Sequence, residues 1–341
     1  GGNRMGKILV TGGTGFIGSH ACVSLINAGY SVVVVDNLCN SKVEALARIQ
    51  LITGKQVRFY QADLRDEESI RQIFIDNKID AVMHFAGLKA VGESVEKPLQ
   101  YYENNVGGTV SLLRVMAKQK CHTIIFSSSA TVYGCQNPVP YQEEMPVSAT
   151  NPYGYTKVMI EQILRDVCKS DPQFSAVALR YFNPIGAHES GLLGENPNGI
   201  PNNLVPYIAQ VASGKLDHVN IYGNDYNTPD GTGVRDYIHV MDLADGHTAA
   251  LAYGMEHSGF TAVNLGTGTG SSVLEVIRAY EKACGRAIPI EITKRRAGDI
   301  AASYADAAKA KELLGWQAVS GLEKMCADSW RFTVQNPNGM E

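Results

Sequence analysis

The stretch Lys7-Ile8-Leu9-Val10-Thr11-Gly12-Gly13-Thr14-Gly15-Phe16-Ile17-Gly18 decides the fold. A short apolar run breaks into glycines at G-x-x-G-x-x-G spacing, and a helical pattern follows. Glycines there let the chain turn tightly, let the backbone approach a pyrophosphate, and let the helix lie close on the strand. The helix N-terminus adds unpaired N–H groups and a positive dipole for the phosphates. Moving outward, Asp36 closes the next apolar run, 31–35, 18 residues after Gly18. A carboxylate at that place accepts both adenosine ribose hydroxyls and repels a 2′-phosphate, which favours NAD over NADP.

Further runs at 57–61, 81–85, 123–127 and 176–181 are continuous, like Val32-Val33-Val34-Val35, as expected of strands buried on both faces. Segments 15–29, 42–53, 66–77, 98–119 and 153–169 have the length and pattern of crossover helices. Alternation of this kind predicts the α/β class, a doubly wound parallel sheet of Rossmann type. After Asn183 the texture changes, because Gly and Pro become frequent; helices are expected near 242–253 and 273–284, and a strand at 262–265. The expected division is a dinucleotide-binding domain over 6–182 with a returning segment at about 234–266. A smaller α/β substrate domain would take 183–233 and 267–335, leaving a cleft between the two as the ligand site.

The 341 residues suit two such domains, and 45% apolar content with 19% charge excludes intrinsic disorder. A net charge of −4 gives no pull on phosphate backbones, so no nucleic acid partner is expected, and no apolar run is long enough to suggest a membrane span. Seven cysteines without a C-x-x-C pair or a His cluster argue against a disulfide scaffold and against any metal, and point to a reducing cytoplasm. Gly1-Gly2-Asn3-Arg4 reads as a cloning remnant before a natural start at Met5.

Tyr153 and Lys157 form Y-x-x-x-K in a helical segment, which puts both on one face. An ammonium nearby, helped by a positive nicotinamide ring, is expected to bring the tyrosine from its ordinary value near 10 towards neutrality, making it a base. Ser129, at the end of the fifth strand, would share the same substrate hydroxyl. Asp63 ends the third strand, where it would face adenine or cap the following helix. Phe85-Ala86-Gly87 ends the fourth, near the inner ribose. His84 reads as a satisfied core residue.

Together these motifs resemble the extended short-chain dehydrogenase/reductase family, and within it the UDP-hexose 4-epimerases, over nearly the whole chain. The resemblance is carried by 11–18, DNLCNS (36–41), FAGLKAVGE (85–93), FSSSATVYG (126–134), NPYGYTK (151–157), LRYFNPIGA (179–187), IPNNLVP (200–206), GTGVRDYIH (231–239) and RRAGD (295–299). It implies an isomerase that oxidises the sugar at C4 on tightly bound NAD, turns the 4-keto sugar over and reduces it again. It further implies a homodimer joined through helices near 98–119 and 153–169, where Leu112, Leu113, Val115 and Met116 are available to pair or to face the sheet.

By resemblance, cofactor contacts fall on Gly12, Gly15, Phe16, Ile17, Gly18, Asp36, Asn37, Leu38, Asn40, Ser41, Asp63, Leu64, Phe85, Ala86, Gly87, Lys89, Asn104 and Phe182. The UDP-sugar falls to Asn183, Asn202, Asn203, Leu204, Tyr222, Arg235, Tyr237, Arg296, Asp299 and Ser303. Two arginines forking onto a diphosphate agree with that assignment. Ser303 departs from the narrow-specificity pattern, which has a tyrosine four residues after the aspartate of R-R-x-G-D. A small side chain there leaves space beside C2, so UDP-GlcNAc and UDP-GalNAc become expected substrates. A sugar-nucleotide 4,6-dehydratase is the competing reading, disfavoured because Ser128-Ser129 stands where such enzymes carry an Asp-Glu pair. A non-catalytic dinucleotide sensor is disfavoured by the intact Tyr153, Lys157 and Ser129.

Overall fold

Which way each strand residue faces builds the molecule. The computed structural model describes residues 5–341, so the expected remnant at 1–4 lies outside the described residues. β1 (Lys7–Thr11) sends Ile8 and Val10 to one face of a sheet and Leu9 to the other, all three sealed from solvent. The chain continues through α1 (Phe16–Asn27), β2 (Ser31–Asp36), α2 (Glu44–Thr53), β3 (Arg58–Gln61), α3 (Glu67–Asp76) and β4 (Ala81–His84). Next come α4 (Val91–Glu96), α5 (Pro98–Tyr101), α6 (Gly108–Lys118), β5 (Thr123–Ser129), α7 (Pro152–Ser170) and β6 (Ser175–Tyr181). The irregular part holds β7 (Asn183–Ile185), α8 (Leu204–Ala212), β8 (Val219–Tyr222), β9 (Val234–Arg235), β10 (Tyr237–His239), α9 (Val240–Glu256) and β11 (Gly259–Leu265). It ends with β12 (Ser271–Ser272), α10 (Val273–Cys284), β13 (Ile290–Thr293), β14 (Ala302–Ser303), α11 (Ala308–Leu314) and α12 (Leu322–Gln335).

Seven strands pair in the order β11-β6-β5-β4-β1-β2-β3, each parallel to its neighbours. The order reverses between β1 and β4, and that switch point opens a crevice at the carboxyl ends of the strands. Helices α1, α2 and α9 bury one face through Ile17, Ile49 and Leu243. Helices α3, α6 and α7 bury the other through Ile70, Leu112 and Leu164. A third apolar cluster joins α8, α10 and α12 to β8 around Ile208, Ile221, Val276 and Met325.

The structure corrects two expectations and decides between two readings of a third. Of the segment at 234–266, only β11 joins the large sheet; β9 and β10 pair with β12, β14 and β7 in small sheets, and α9 packs on the large sheet's face. The helix expected over 98–119 is interrupted by a wide π turn at Tyr102–Gly107. There Asn105 turns inward and pins the loop after β4, accepting from Leu88 N–H at 2.8 Å and donating to the Leu88 carbonyl at 3.0 Å. Of the two readings open for Leu112, Leu113, Val115 and Met116, burial favours the second: all four lie inside the apolar cluster on this side of the sheet and offer no seam to a second copy. His84 is the satisfied core residue expected, with Nδ1 2.6 Å from Thr11 Oγ1 and Nε2 2.9 Å from Thr109 Oγ1. Among the described residues no helix is long and apolar enough to cross a membrane.

Candidate active site

The glycine turn has the shape of a cradle. Gly12 sits at φ +70°, and a Cβ there would lie 2.8 Å from the Ala86 nitrogen. A Cβ on Gly18 would lie 2.2 Å from the Gly12 carbonyl, so neither position admits a side chain without displacing backbone. Gly15 is the N-cap of α1 and offers no side chain to its first-turn N–H groups. An uncapped helix start behind a side-chain-free turn fits a pyrophosphate, so these residues suit the dinucleotide.

Asp36 stands at the carboxyl end of β2, held by Thr14 Oγ1 at 2.6 Å and by the Leu38 N–H at 2.9 Å. The second bond draws Leu38 into a left-handed turn at φ +61°, a conformation that fixes the loop through Asn37, Asn40 and Ser41. Asp63 is not the cap of α3; Asp66 is, accepting from Ser69 N–H. Asp63 instead receives Arg65 through Nε and Nη2, both at 2.9 Å, and that guanidinium holds its carboxyl down at about 2. At the end of β4, Thr11 Oγ1 receives the N–H groups of Phe85 and Ala86. Lys89, just beyond β4, keeps exposed surface, while the surroundings of its ammonium lower its pKa through desolvation.

The catalytic candidates meet at the end of β5. Asn151 caps α7, accepting from Gly154 N–H at 2.9 Å, and sets Tyr153 and Lys157 on the face turned to the strand end. Lys157 Nζ donates to the Ser127 carbonyl at 2.7 Å and lies 5.8 Å from the Tyr153 ring centre. Burial, then the neighbouring Lys89, lower Lys157 to about 7. Within the chain alone, burial raises the Tyr153 phenol, and Ser129 beside it acts the other way. Ser128 turns from this site and donates to the buried Glu161 at 2.6 Å. The residues that follow the strand are Ala130 and Thr131, and neither has the acid or base a dehydratase needs. Thr131 Oγ1 is buried beside Ser129 with no hydrogen-bond partner, which sequence reading missed.

From Ser129 the chain turns once to Tyr133, whose ring stacks on Tyr141 at 4.8 Å. The Tyr141 N–H donates to the Tyr304 carbonyl at 3.0 Å and its carbonyl accepts from the Asp306 N–H, so this stack ties the strand end to the second lobe. β14 pairs with β9 and sets Ser303 opposite Arg235. Asp236, fully buried, clamps that corner through Thr267 N–H at 2.9 Å and Ala305 N–H at 3.1 Å. Arg296 lies over the Tyr222 ring at 4.6 Å and pairs with Asp299 at 2.8 Å. Arg295 is engaged elsewhere, with Asp225. Asn183, Asn202 and Asn203 stand exposed, Leu204 begins α8, and Tyr237 is buried in the small lobe's apolar cluster. Phe182 packs with Tyr133 and Tyr141, and Leu64 and Asn104 are half-buried. Glu195 also went unnoticed in the sequence: it accepts from Asn203 at 3.0 Å, and burial raises its carboxyl. No group of three or more His, Cys, Asp or Glu among the described residues has metal-ligand geometry.

A doubly wound sheet with this cradle, a Tyr/Lys/Ser set at the β5 end and an arginine-bearing second lobe defines the extended short-chain dehydrogenase/reductase class. A family model described as GDP-mannose 4,6 dehydratase matches residues 9–329. The UDP-glucose 4-epimerase of Bacillus subtilis is 59% identical over 97% of this chain and 98% of its own. The crystal structure of UDP-glucose 4-epimerase from Bifidobacterium longum, in complex with NAD+ and UDP, superposes with a TM-score of 0.94 at 57% identity, covering 98% of this chain and 99% of that one. The UDP-Glc/GlcNAc 4-epimerase of Campylobacter jejuni has a TM-score of 0.84 at 37% identity over 97% and 99% of the two chains. The chain belongs to the UDP-glucose 4-epimerase family.

Proposed function

We propose that the chain is an NAD-dependent 4-epimerase that interconverts UDP-glucose with UDP-galactose and also UDP-GlcNAc with UDP-GalNAc. NAD⁺ held in the glycine cradle would supply a reversible hydride acceptor, so no net redox would follow. Tyr153 takes the proton of the sugar 4-hydroxyl and later returns it to the same C4 oxygen once C4 has been reduced from its opposite face, with Ser129 hydrogen-bonding both oxygens. Lys157 holds the nicotinamide ribose and keeps positive charge near the phenol. Lys89, Asp36, Asn37, Asp63 and the first turn of α1 hold the rest of the dinucleotide.

Arg235 and Arg296 grip the diphosphate, while Asn183, Asn202, Asn203, Leu204, Tyr222, Tyr237 and Asp299 hold sugar and uridine. Anchored there, the oxidised sugar turns over without leaving. The small Ser303 side chain beside Arg235 supports acceptance of the N-acetyl group. In this reading 6–182 with β11 forms the dinucleotide domain and most of the remainder the nucleotide-sugar domain. Two copies join through exposed Val95, Leu99 and Met159 on α4, α5 and α7. Seven free cysteines support a reducing, cytoplasmic location.

The observation that carries the reaction is the meeting of Tyr153 with Ser129 beside Lys157 at the β5 end. The test is incubation with UDP-GlcNAc, no cofactor added, followed by proton NMR of the anomeric signals, with UDP-glucose in parallel. Conversion of both is expected. Ser303→Tyr should stop the acetylated pair and spare the other; equal loss of both would refute the account of the pocket.

A further inference from the structure

Three consecutive residues at the end of β5 reach three residues spaced four apart on α7. Ser129 stands beside Tyr153, the Ser127 carbonyl accepts from Lys157 at 2.7 Å, and the Ser128 hydroxyl donates to Glu161 Oε2 at 2.6 Å. Tyr153, Lys157 and Glu161 therefore share one face of the helix. The first two contacts belong to the active site, and the third lies in the interior beneath it. Glu161 is 2% exposed, and Arg180 and Ser128 are fully buried. Arg180 of β6 forks onto the same carboxylate, Nη2 to Oε1 at 2.6 Å and Nε to Oε2 at 3.1 Å. Its remaining Nη1 reaches the Tyr133 hydroxyl at 3.3 Å and the Glu143 carbonyl at 3.0 Å.

A buried ion pair of this kind is weak evidence for stability, since apolar residues of similar volume often serve as well or better. Its geometry does something that an apolar pair cannot. Hydrogen bonds have fixed lengths and directions, so two strands and a helix meeting at one carboxylate leave the helix little freedom to slide. We infer that Glu161 is a positioning residue for Lys157 and Tyr153, clamped by Ser128 and Arg180 so that α7 keeps its register along β5. The same negative charge favours the Lys157 ammonium, against burial and against Lys89. A misplacement of about 1 Å in such a site costs up to roughly a hundredfold in rate.

The inference rests on the proposed epimerisation, so the parent enzyme is assayed first: an inactive parent refutes the function, whatever the variants do. Ser128→Ala removes one bond to Glu161 and leaves the ion pair whole. Its kcat for UDP-galactose, counted per folded, NAD-loaded site, should fall about tenfold. KM, NAD content and melting temperature should stay with the parent. The joint change Glu161→Leu with Arg180→Met leaves no bare charge and should bind NAD and substrate normally, with a larger loss of kcat. Full kcat in either variant, or a loss that appears in KM or in melting temperature alone, overturns the assignment.

Discussion

The two walls of the cleft are built on different physics. The cofactor side is fixed by backbone and burial: glycines that exclude a Cβ, a sheet whose Ile8, Leu9 and Val10 see no solvent, and an aspartate already satisfied by its own loop. The nucleotide-sugar side is made of charged, partly exposed groups that hold one another, as Arg296 holds Asp299 with its side chain 58% exposed. Arg235 has only its neighbour's carbonyl, that of Val234, at 2.7 Å. A prebuilt site binds without reorganising and keeps its ligand, whereas a site of exchangeable surface pairs releases it. A cycle in which NAD stays while UDP-sugars come and go requires that asymmetry.

The hardest blow to the pair should come from chemistry alone. Tyr153→Phe should lower kcat by about three orders of magnitude, while NAD content and KM hold. A loss of bound NAD instead would mean that the phenol belongs to the rigid wall.

Acid separates the two halves next. His20 on α1 and His247 on α9 are lowered by burial to about 4, and His84 on β4 to about 3, all in the cofactor half. Unfolding lets each take a proton near 6.5, so stability is whole above that value and falls as pH drops towards 4. Three such groups give a slope of about 4 kcal/mol per pH unit at its steepest. Urea unfolding between pH 7 and 5 reads it, and a flat profile would deny the burial. Asp328 acts more weakly and lower down: against burial, hydrogen bonds from His239, Arg331 and Lys324 hold it at about 2, so its contribution is lost as pH falls from the ordinary carboxylate value of 3.8 to about 2.

Smaller effects sharpen the contrast. Gly18→Ala forces backbone apart at the cradle and should weaken NAD retention about ten- to a hundredfold, read as cofactor lost on dialysis. Arg296→Ala should raise KM for UDP-galactose about tenfold with kcat nearly unchanged, the signature of uniform binding lost at an exposed site. A fall in kcat matching the rise in KM would place Arg296 in the rigid half.

What the sequence tells differs between the walls for the same reason. The strands of the large sheet and the glycine turn are local patterns, and β1 begins and ends where the apolar run does. The strands β9, β12 and β14 have two residues each, too few for any period, and their pairing is purely tertiary. The π turn at Tyr102–Gly107 answers to Asn105 reaching another loop, which no helical pattern reports. Tyr153 and Lys157 could be picked out by spacing, but the upward shift of the tyrosine could not, because burial belongs to the folded chain. On the sugar side, Arg235 and Arg296 stood out only through the family resemblance. Thr131 and Glu195 carried no local signal at all; an unpartnered hydroxyl and a shielded carboxylate exist only in the fold.

The most direct test follows one hydrogen. UDP-glucose carrying deuterium at C4 is converted with no added cofactor, and the product is read by NMR. Retention of the deuterium at C4 of UDP-galactose is expected, because the hydride leaves and returns within one site while the sugar turns over. Deuterium washed out to solvent, or moved to C6 with loss of water, would contradict the account.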